Sequence, residues 1–229
     1  ALASKMMSGC VDAGWSQWFV CHRDELIQQT SRTLIRGGVD HSYIAAGYPR
    51  NYQHQVQVGM VGTIGRRLEK LSPPKIIFLD EAHHAVAGTW RKIIDQYPEA
   101  LIVGLSATPQ RLDGRGLDDV FNAIVPGPQT RWLMDEGWLS DYRAWTHAPP
   151  DLSGLKRRGA DFDPDELAAK MSDAHIVGDM VEHYLEICPG ERGVAFCVNV
   201  EHAITTRDAF QAAGVRAEML DGNTPKDVR

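Results

Sequence analysis

Short apolar runs recur along this chain of 229 residues, and their length and spacing restrict the fold more than any other feature. The runs have no polar alternation, as expected of strands that are buried on both faces of a parallel sheet. Because parallel strands are usually joined by helices, the pattern predicts an α/β fold. In the first half of the chain, the runs lie at residues 18–21, 43–46, 58–61, 76–79 and 101–105.

Several segments between the runs have the spacing of amphipathic helices. Leu26, Ile27 and Leu34 mark one face of a helix that should end near Arg36, because two glycines follow. A similar pattern over residues 176–188 predicts another helix in the second half of the chain.

The second half also contains strand-like runs, at residues 194–198 and 217–220, with a predicted helix over residues 200–213 between them. Residues 146–164 are polar and rich in turn-forming residues, which is typical of a linker. The sequence therefore predicts a first domain over residues 1–145 and the start of a second, incomplete domain over residues 165–229.

The composition is that of a globular protein. Hydrophobic residues make up 43% and charged residues 24% of the chain, which argues against intrinsic disorder. No apolar run approaches the roughly 18 residues that a membrane helix needs. The 4 cysteines show no disulfide framework, and no signal peptide is recognisable. We expect a cytoplasmic protein with no membrane partner.

The formal net charge of −6 predicts no broad cationic surface for nucleic acid. Any contact with phosphates must therefore come from local residues.

Two adjacent carboxylates follow the fourth apolar run, where residues 76–83 read I-I-F-L-D-E-A-H. A strand end places Asp80 and Glu81 at the carboxyl edge of a parallel sheet, where α/β proteins form ligand sites. In nucleotide hydrolysis, such an Asp can hold the hydration shell of Mg²⁺ and the Glu can activate the attacking water. The alternative is an acidic helix cap without catalytic function.

The next run, residues 101–105, leads directly into Ser106-Ala107-Thr108-Pro109. Alone, this segment would be an ordinary turn with hydroxyl caps. A D-E-A-H strand that is followed by an S-A-T-P strand is far more specific than either motif by itself.

This pair of motifs resembles the superfamily 2 helicases and translocases, most closely the RadD, UvsW and type III restriction-subunit kind. Four further segments are similar to family motifs in the expected order, so the resemblance covers nearly the whole chain. They lie at residues 19–29, 58–67, 196–203 and 220–225.

The resemblance implies tandem RecA-like P-loop NTPase domains with parallel sheets, which bind ATP and Mg²⁺ between them. By motif position, Asp80 would hold Mg²⁺ through water and Glu81 would be the general base. His83, Ser106 and Thr108 would couple the state of the γ-phosphate to nucleic-acid binding.

The resemblance also implies a nucleic-acid partner, with DNA favoured over RNA, and leaves room for a nuclease or repair partner. Arg23 and Thr63 would contact the phosphate backbone from the first domain. Asn199 or Thr224 would do so from the second.

The chain lacks part of the family's pattern. It has no G-x-x-x-x-G-K-[S/T] phosphate loop, and residues 1–7 resemble the helix that follows that loop in the family. Motifs V and VI are also missing. We therefore expect no meaningful ATP hydrolysis from these residues alone.

Two other functions are compatible with the sequence. A non-catalytic nucleic-acid-binding or scaffold module could keep the helicase fold, although it would not need Glu81. A zinc hydrolase built on His83 and His84, or on His175 and His183, has little support because no H-E-x-x-H pair places two imidazoles on one helix face.

Overall fold

The computed structural model describes residues 2–86, 88–108, 117–145, 151–158 and 161–225. The chain divides into two compact units, Ala1–Trp132 and Leu133–Arg229. Within the predicted linker, residues 146–150 and 159–160 lie outside the described residues. The domain limits at residues 145 and 165 stay a prediction.

The first unit alternates helices and strands, as the apolar runs predict. Short 3₁₀ turns precede and follow its fourth strand, at Leu68–Lys70 and Ala82–His84. Its elements are α1 (Leu2–Asp12), β1 (Gln17–Cys21), α2 (Asp24–Arg36), β2 (Ser42–Ile44), β3 (Val56–Met60), α3 (Val61–Gly65), β4 (Ile76–Asp80), α4 (Gly88–Gln96) and β5 (Leu101–Leu105).

These strands form one sheet in the order β2-β3-β1-β4-β5, and every neighbouring pair is parallel. The prediction of a parallel α/β fold is confirmed. The third strand ends at Met60 rather than at residue 61, because Val61 already begins α3.

Helices cover both faces of the sheet. Along β1, Trp18 and Val20 belong to one hydrophobic core, whereas Phe19 and Cys21 belong to the other. The first core includes residues of α3 and α4, and the second includes residues of α1 and α2. Because both faces of β1, β3 and β4 are buried, these strands consist mainly of apolar residues without polar alternation.

Helix α2 begins and ends at the positions that its sequence indicates. Asp24 and Glu25 lie in its first turn, where carboxylates interact favourably with the helix dipole. Gly38 follows its last turn with a φ of 72°, a left-handed conformation that glycine adopts without steric cost.

The second unit is mainly helical in its described part. The N-cap of its second helix is Asp163, whose side chain accepts hydrogen bonds from the backbone of Asp165 and Glu166. Tyr184 and Phe210 then pack edge to face between two later helices, with ring centroids 5.4 Å apart. The elements are α5 (Thr130–Asp135), which crosses the unit boundary, β6 (Arg157–Arg158), β7 (Asp161–Phe162), α6 (Pro164–Met171), α7 (Ala174–Ile187) and α8 (Val200–Ala212).

The predicted strands at residues 194–198 and 217–220 do not form, so this expectation is wrong. Among the described residues of this unit, only β6 and β7 pair as strands. Residues of the two segments and of α7 and α8 line a groove of about 950 Å³. Phe196 is 95% exposed, because no neighbouring strand or helix covers it. Without paired neighbours, an apolar run cannot be held as a buried strand.

Within the described residues, no helix combines the length and the apolar character that crossing a bilayer requires.

Candidate active site

The carboxyl ends of three neighbouring strands meet at one edge of the first unit. His22 follows β1, Asp80 ends β4 and Ser106 follows β5. Since Asp80 pairs in register with Leu105, Ser106 lies one residue beyond the partner of Asp80. The sheet therefore brings together the two motifs that the sequence predicts as one site.

Asp80 is partly buried at this edge. Burial raises the pKa of its carboxyl group and the nearby Glu81 carboxylate raises it further, whereas a hydrogen bond from the backbone N–H of Glu81 and, less strongly, His22 oppose the rise. A bound cation would reverse this balance, because it stabilises the ionised form. Asp80 also lines a cavity of about 250 Å³ together with residues of α1 and α2.

The backbone of Glu81 adopts a left-handed conformation, with φ 52° and ψ 54°. It is the only residue other than glycine with positive φ in the described part of the chain. Such a conformation costs on the order of 1–3 kcal/mol and occurs mainly where the surrounding structure enforces it. It turns the chain sharply from β4 into the 3₁₀ turn, and the Glu81 side chain remains 45% exposed.

His83 connects the carboxylate to the next strand. Its Nδ1 atom lies 3.3 Å from Glu81 Oε2 and 3.4 Å from Ser106 Oγ. When Nδ1 carries the proton, it can donate to either of these oxygens, because a carboxylate only accepts hydrogen bonds. The Ser106 hydroxyl donates to the carbonyl oxygen of Thr108 at 3.0 Å, which leaves its oxygen free to accept from His83.

Thr108 closes this turn through its backbone. Its N–H donates to Ser106 Oγ at 3.1 Å, and the residue is exposed. The predicted triplet of His83, Ser106 and Thr108 is thus contiguous in space. Pro109, the last residue of the S-A-T-P segment, lies outside the described residues.

Two further histidines line the site: His84, which the sequence analysis considered only as a zinc ligand, and His22, which it did not consider. The ring of His84 lies 4.1 Å from that of His83, and the ring of His22 lies 5.9 Å from that of His84. The pKa of His84 is lowered by partial desolvation and by the neighbouring imidazoles of His83 and His22. The signal was present in the sequence, since His22 ends its strand as Asp80 ends β4.

The predicted nucleic-acid contacts of the first unit differ in their exposure. Arg23 is exposed at the start of α2, in an extended conformation. Thr63 lies within α3 and is only 3% exposed, so its side chain presents little surface to a phosphate.

The two predicted contacts of the second unit take part in local turns. The side chain of Asn199 caps α8 by accepting from the backbone N–H of His202 at 2.8 Å. The Thr224 hydroxyl accepts from the backbone N–H of Asp221 at 2.9 Å and donates to that residue's carboxylate. Their contacts with nucleic acid stay predictions.

Among the described residues, no group of three or more His, Cys, Asp or Glu side chains is arranged to hold a metal ion. The side chain of His175 is not described, and His183 Nδ1 lies 2.6 Å from the carbonyl oxygen of Asp179. Asp80 does fit Mg²⁺, because this ion is commonly held by one or two carboxylates plus water and phosphate oxygens.

The parallel sheet with helices on both faces, and with acidic residues at the end of an inner strand, defines a RecA-like α/β domain. Residues 2–111 match the family described as "Type III restriction enzyme, res subunit".

Several curated proteins are similar over longer stretches. A "51.5 kDa protein" of a Lactococcus phage is 29% identical over 226 residues, which cover 99% of this chain and 47% of that protein. The "Putative ATP-dependent helicase IRC3" of Saccharomyces cerevisiae is 28% identical over 91% of this chain and 32% of its own length. A "Type I restriction enzyme EcoAI endonuclease subunit" of Escherichia coli is 26% identical over 59% of this chain and 19% of its own length.

The matched domain and these relatives support the resemblance of the chain to the superfamily 2 helicases. The chain spans less than half the length of each of these relatives.

Proposed function

We propose that this chain belongs to an ATP-dependent motor that moves along or unwinds nucleic acid. The observation that carries the proposal is the contact of His83 with both Glu81 and Ser106 at the end of two adjacent strands. This contact connects the carboxylate that would activate water to the strand end that would respond to the γ-phosphate.

In this proposal, Asp80 would hold Mg²⁺, and Glu81 would accept a proton from the water that attacks the γ-phosphate. ATP and Mg²⁺ supply the phosphoryl group and the charge that stabilises its transfer. The chain's own contribution is to fix Glu81 beside Asp80 through the left-handed turn after β4.

We propose DNA as the nucleic acid. Two of the matches carry the words "restriction enzyme" in their descriptions, which favours DNA over RNA. Arg23 is the residue of the first unit that is best placed to meet a phosphate, because it is exposed at the same sheet edge as Asp80. The cytoplasmic location stays a prediction, and one similar yeast protein is named as mitochondrial.

The experiment is to measure ATP hydrolysis by the whole protein with single-stranded DNA, with single-stranded RNA and with neither. The proposal predicts that DNA stimulates hydrolysis more than RNA does, and that Arg23→Gln weakens the DNA response. A matched control is Arg91→Gln, because Arg91 pairs with Asp95 within α4. A rate of ATP hydrolysis that is the same with DNA, with RNA and with neither would contradict a motor.

The same measurement distinguishes the ATP-dependent motor from the non-catalytic scaffold. Such a module would keep the helicase fold and bind nucleic acid without turnover. Binding of DNA by the whole protein without any ATP hydrolysis would support the scaffold and exclude the motor.

A further inference from the structure

His22 occupies the end of β1 and has an unusual environment for a polar side chain. Its Nδ1 atom is buried and has no hydrogen-bond partner among the described residues. An unsatisfied buried nitrogen raises the free energy of the folded state, so such atoms call for a functional or structural explanation. The ring is not isolated, because its edge faces the ring of His84 at a centroid distance of 5.9 Å and an angle of 70°.

The ring of His84 in turn contacts a residue of the site. It lies 4.1 Å from the ring of His83, whose Nδ1 atom contacts Glu81 and Ser106. Three imidazoles therefore form a continuous row from the end of β1 to the carboxylate at the end of β4.

The two ends of the row of three imidazoles lie next to residues with different proposed roles. Arg23, the residue after His22, is exposed and is the proposed phosphate contact. At the other end, Glu81 is held in a left-handed backbone conformation. A residue in a strained backbone conformation next to a short 3₁₀ turn is well suited to switch between two conformations, because leaving the strained conformation relieves its local strain.

We propose that His22 is a positioning residue that transmits the binding of DNA at Arg23 to Glu81, through its ring contact with His84 and the contact of His84 with His83. This inference rests on the proposed function. When a phosphate draws Arg23 outward, the backbone at His22 shifts, and the row of rings moves the 3₁₀ turn that sets the position of Glu81. The unsatisfied Nδ1 favours this shift, because the ring loses no hydrogen bond by moving.

The test uses the imidazole and backbone NMR signals of this chain, labelled with ¹⁵N, during titration with a single-stranded oligodeoxythymidine. In the wild type, the ring signals of His83 should shift with the same midpoint as the backbone N–H of Arg23. In His22→Ala, which removes the ring and its contact with His84, the Arg23 signal should still shift, but the His83 shift should fall at least about fivefold.

A second variant guards against a folding defect. His22→Gln keeps a polar side chain but removes the ring, and it should lose the His83 response as well. His54→Ala is the matched control, because His54 is a partly buried histidine bound to Asp40 and Val56, away from the site. It should respond as the wild type does.

The outcomes separate this inference from the proposed function. If Arg23 shifts in the wild type and His83 does not, or if His83 shifts fully in both His22 variants, the inference is overturned and DNA binding stands. If no signal near Arg23 responds to DNA, the proposed phosphate contact fails, and the inference fails with it. In the whole protein, the ratio of DNA-stimulated to basal ATP hydrolysis should also fall about fivefold or more in His22→Ala.

Discussion

His83 Nδ1 lies 3.3 Å from Glu81 Oε2 and therefore ties the end of β4 to the strand beside it. The same nitrogen lies 3.4 Å from Ser106 Oγ, so one imidazole nitrogen contacts both strand ends. Either contact alone would be a weak surface interaction. Together they make the position of Glu81 depend on the conformation of the turn after β5.

Removing this link should reduce the response to DNA. We expect His83→Ala and Ser106→Ala each to lower DNA stimulation of ATP hydrolysis by about 5–50-fold, as is typical when a coupling contact is lost. The double variant should lose little more than either single variant, because both substitutions break the same contact. Steady-state hydrolysis with and without DNA provides the measurement. Effects that simply multiply in the double variant would show that the two residues act separately.

The raised pKa of Asp80 has a consequence for stability. Because burial and Glu81 disfavour the ionised form, the folded state holds the Asp80 proton more tightly than the unfolded state does. The stability cost therefore grows as the pH rises from the ordinary Asp pKa to the raised one, and it persists above that range.

Asp80→Asn removes the charge and should raise the melting temperature at neutral pH by about 1–4 °C. The difference should shrink as the pH falls below the ordinary Asp pKa of about 3.9, where both states are protonated. Thermal unfolding at several pH values measures it. A variant that is less stable than the wild type at pH 7 would show that Asp80 makes a favourable contact as an anion.

The left-handed conformation of Glu81 predicts an unusual effect of glycine. Glu81→Gly should increase the free energy of unfolding by about 1 kcal/mol, because glycine adopts a φ of 52° without strain. Glu81→Ala is the control, since it removes the carboxylate but keeps the strain. Urea unfolding of the two variants gives the comparison, and equal stability would mean that the turn is not strained.

Gly104 in β5 positions the site by its lack of a side chain. A Cβ atom there would lie 2.6 Å from Phe121 Cζ and 2.7 Å from Ala82 Cβ. Gly104→Ala should therefore cost about 1–3 kcal/mol and displace the turn that contains His83. In contrast, Gly9→Ala in α1 has no atom within 4 Å of the added Cβ and should stabilise the chain by about 0.5–1 kcal/mol. Chemical denaturation of both variants tests the contrast.

The sequence predicted the strands of the first unit well because burial on both faces leaves an unmistakable apolar run. It also located Asp80 and Ser106 at one sheet edge, since parallel strands end on the same side. The order of the strands was not predictable in this way, because it depends on which crossovers pass over which face. The row of His22, His84 and His83 was missed for the same reason: two of its members are neighbours, but His22 is brought in by another strand.

The second unit shows the limit of the same reasoning. Residues 194–198 have the composition of a buried strand, but composition does not specify a partner. With no paired neighbour among the described residues, Phe196 stays exposed. The left-handed backbone conformation of Glu81 was equally unpredictable, because no sequence signal marks a left-handed glutamate, whereas a glycine in a turn suggests this conformation.

The central claim is that Glu81 activates the water that attacks ATP, and one substitution tests it most directly. ATP hydrolysis by the whole protein with saturating DNA should fall at least about 100-fold in Glu81→Gln, whereas the midpoint of ATP binding should stay within about twofold. Glu99→Gln, at an exposed position after α4, should hydrolyse ATP as the wild type does. Hydrolysis by Glu81→Gln at the wild-type rate would contradict the account.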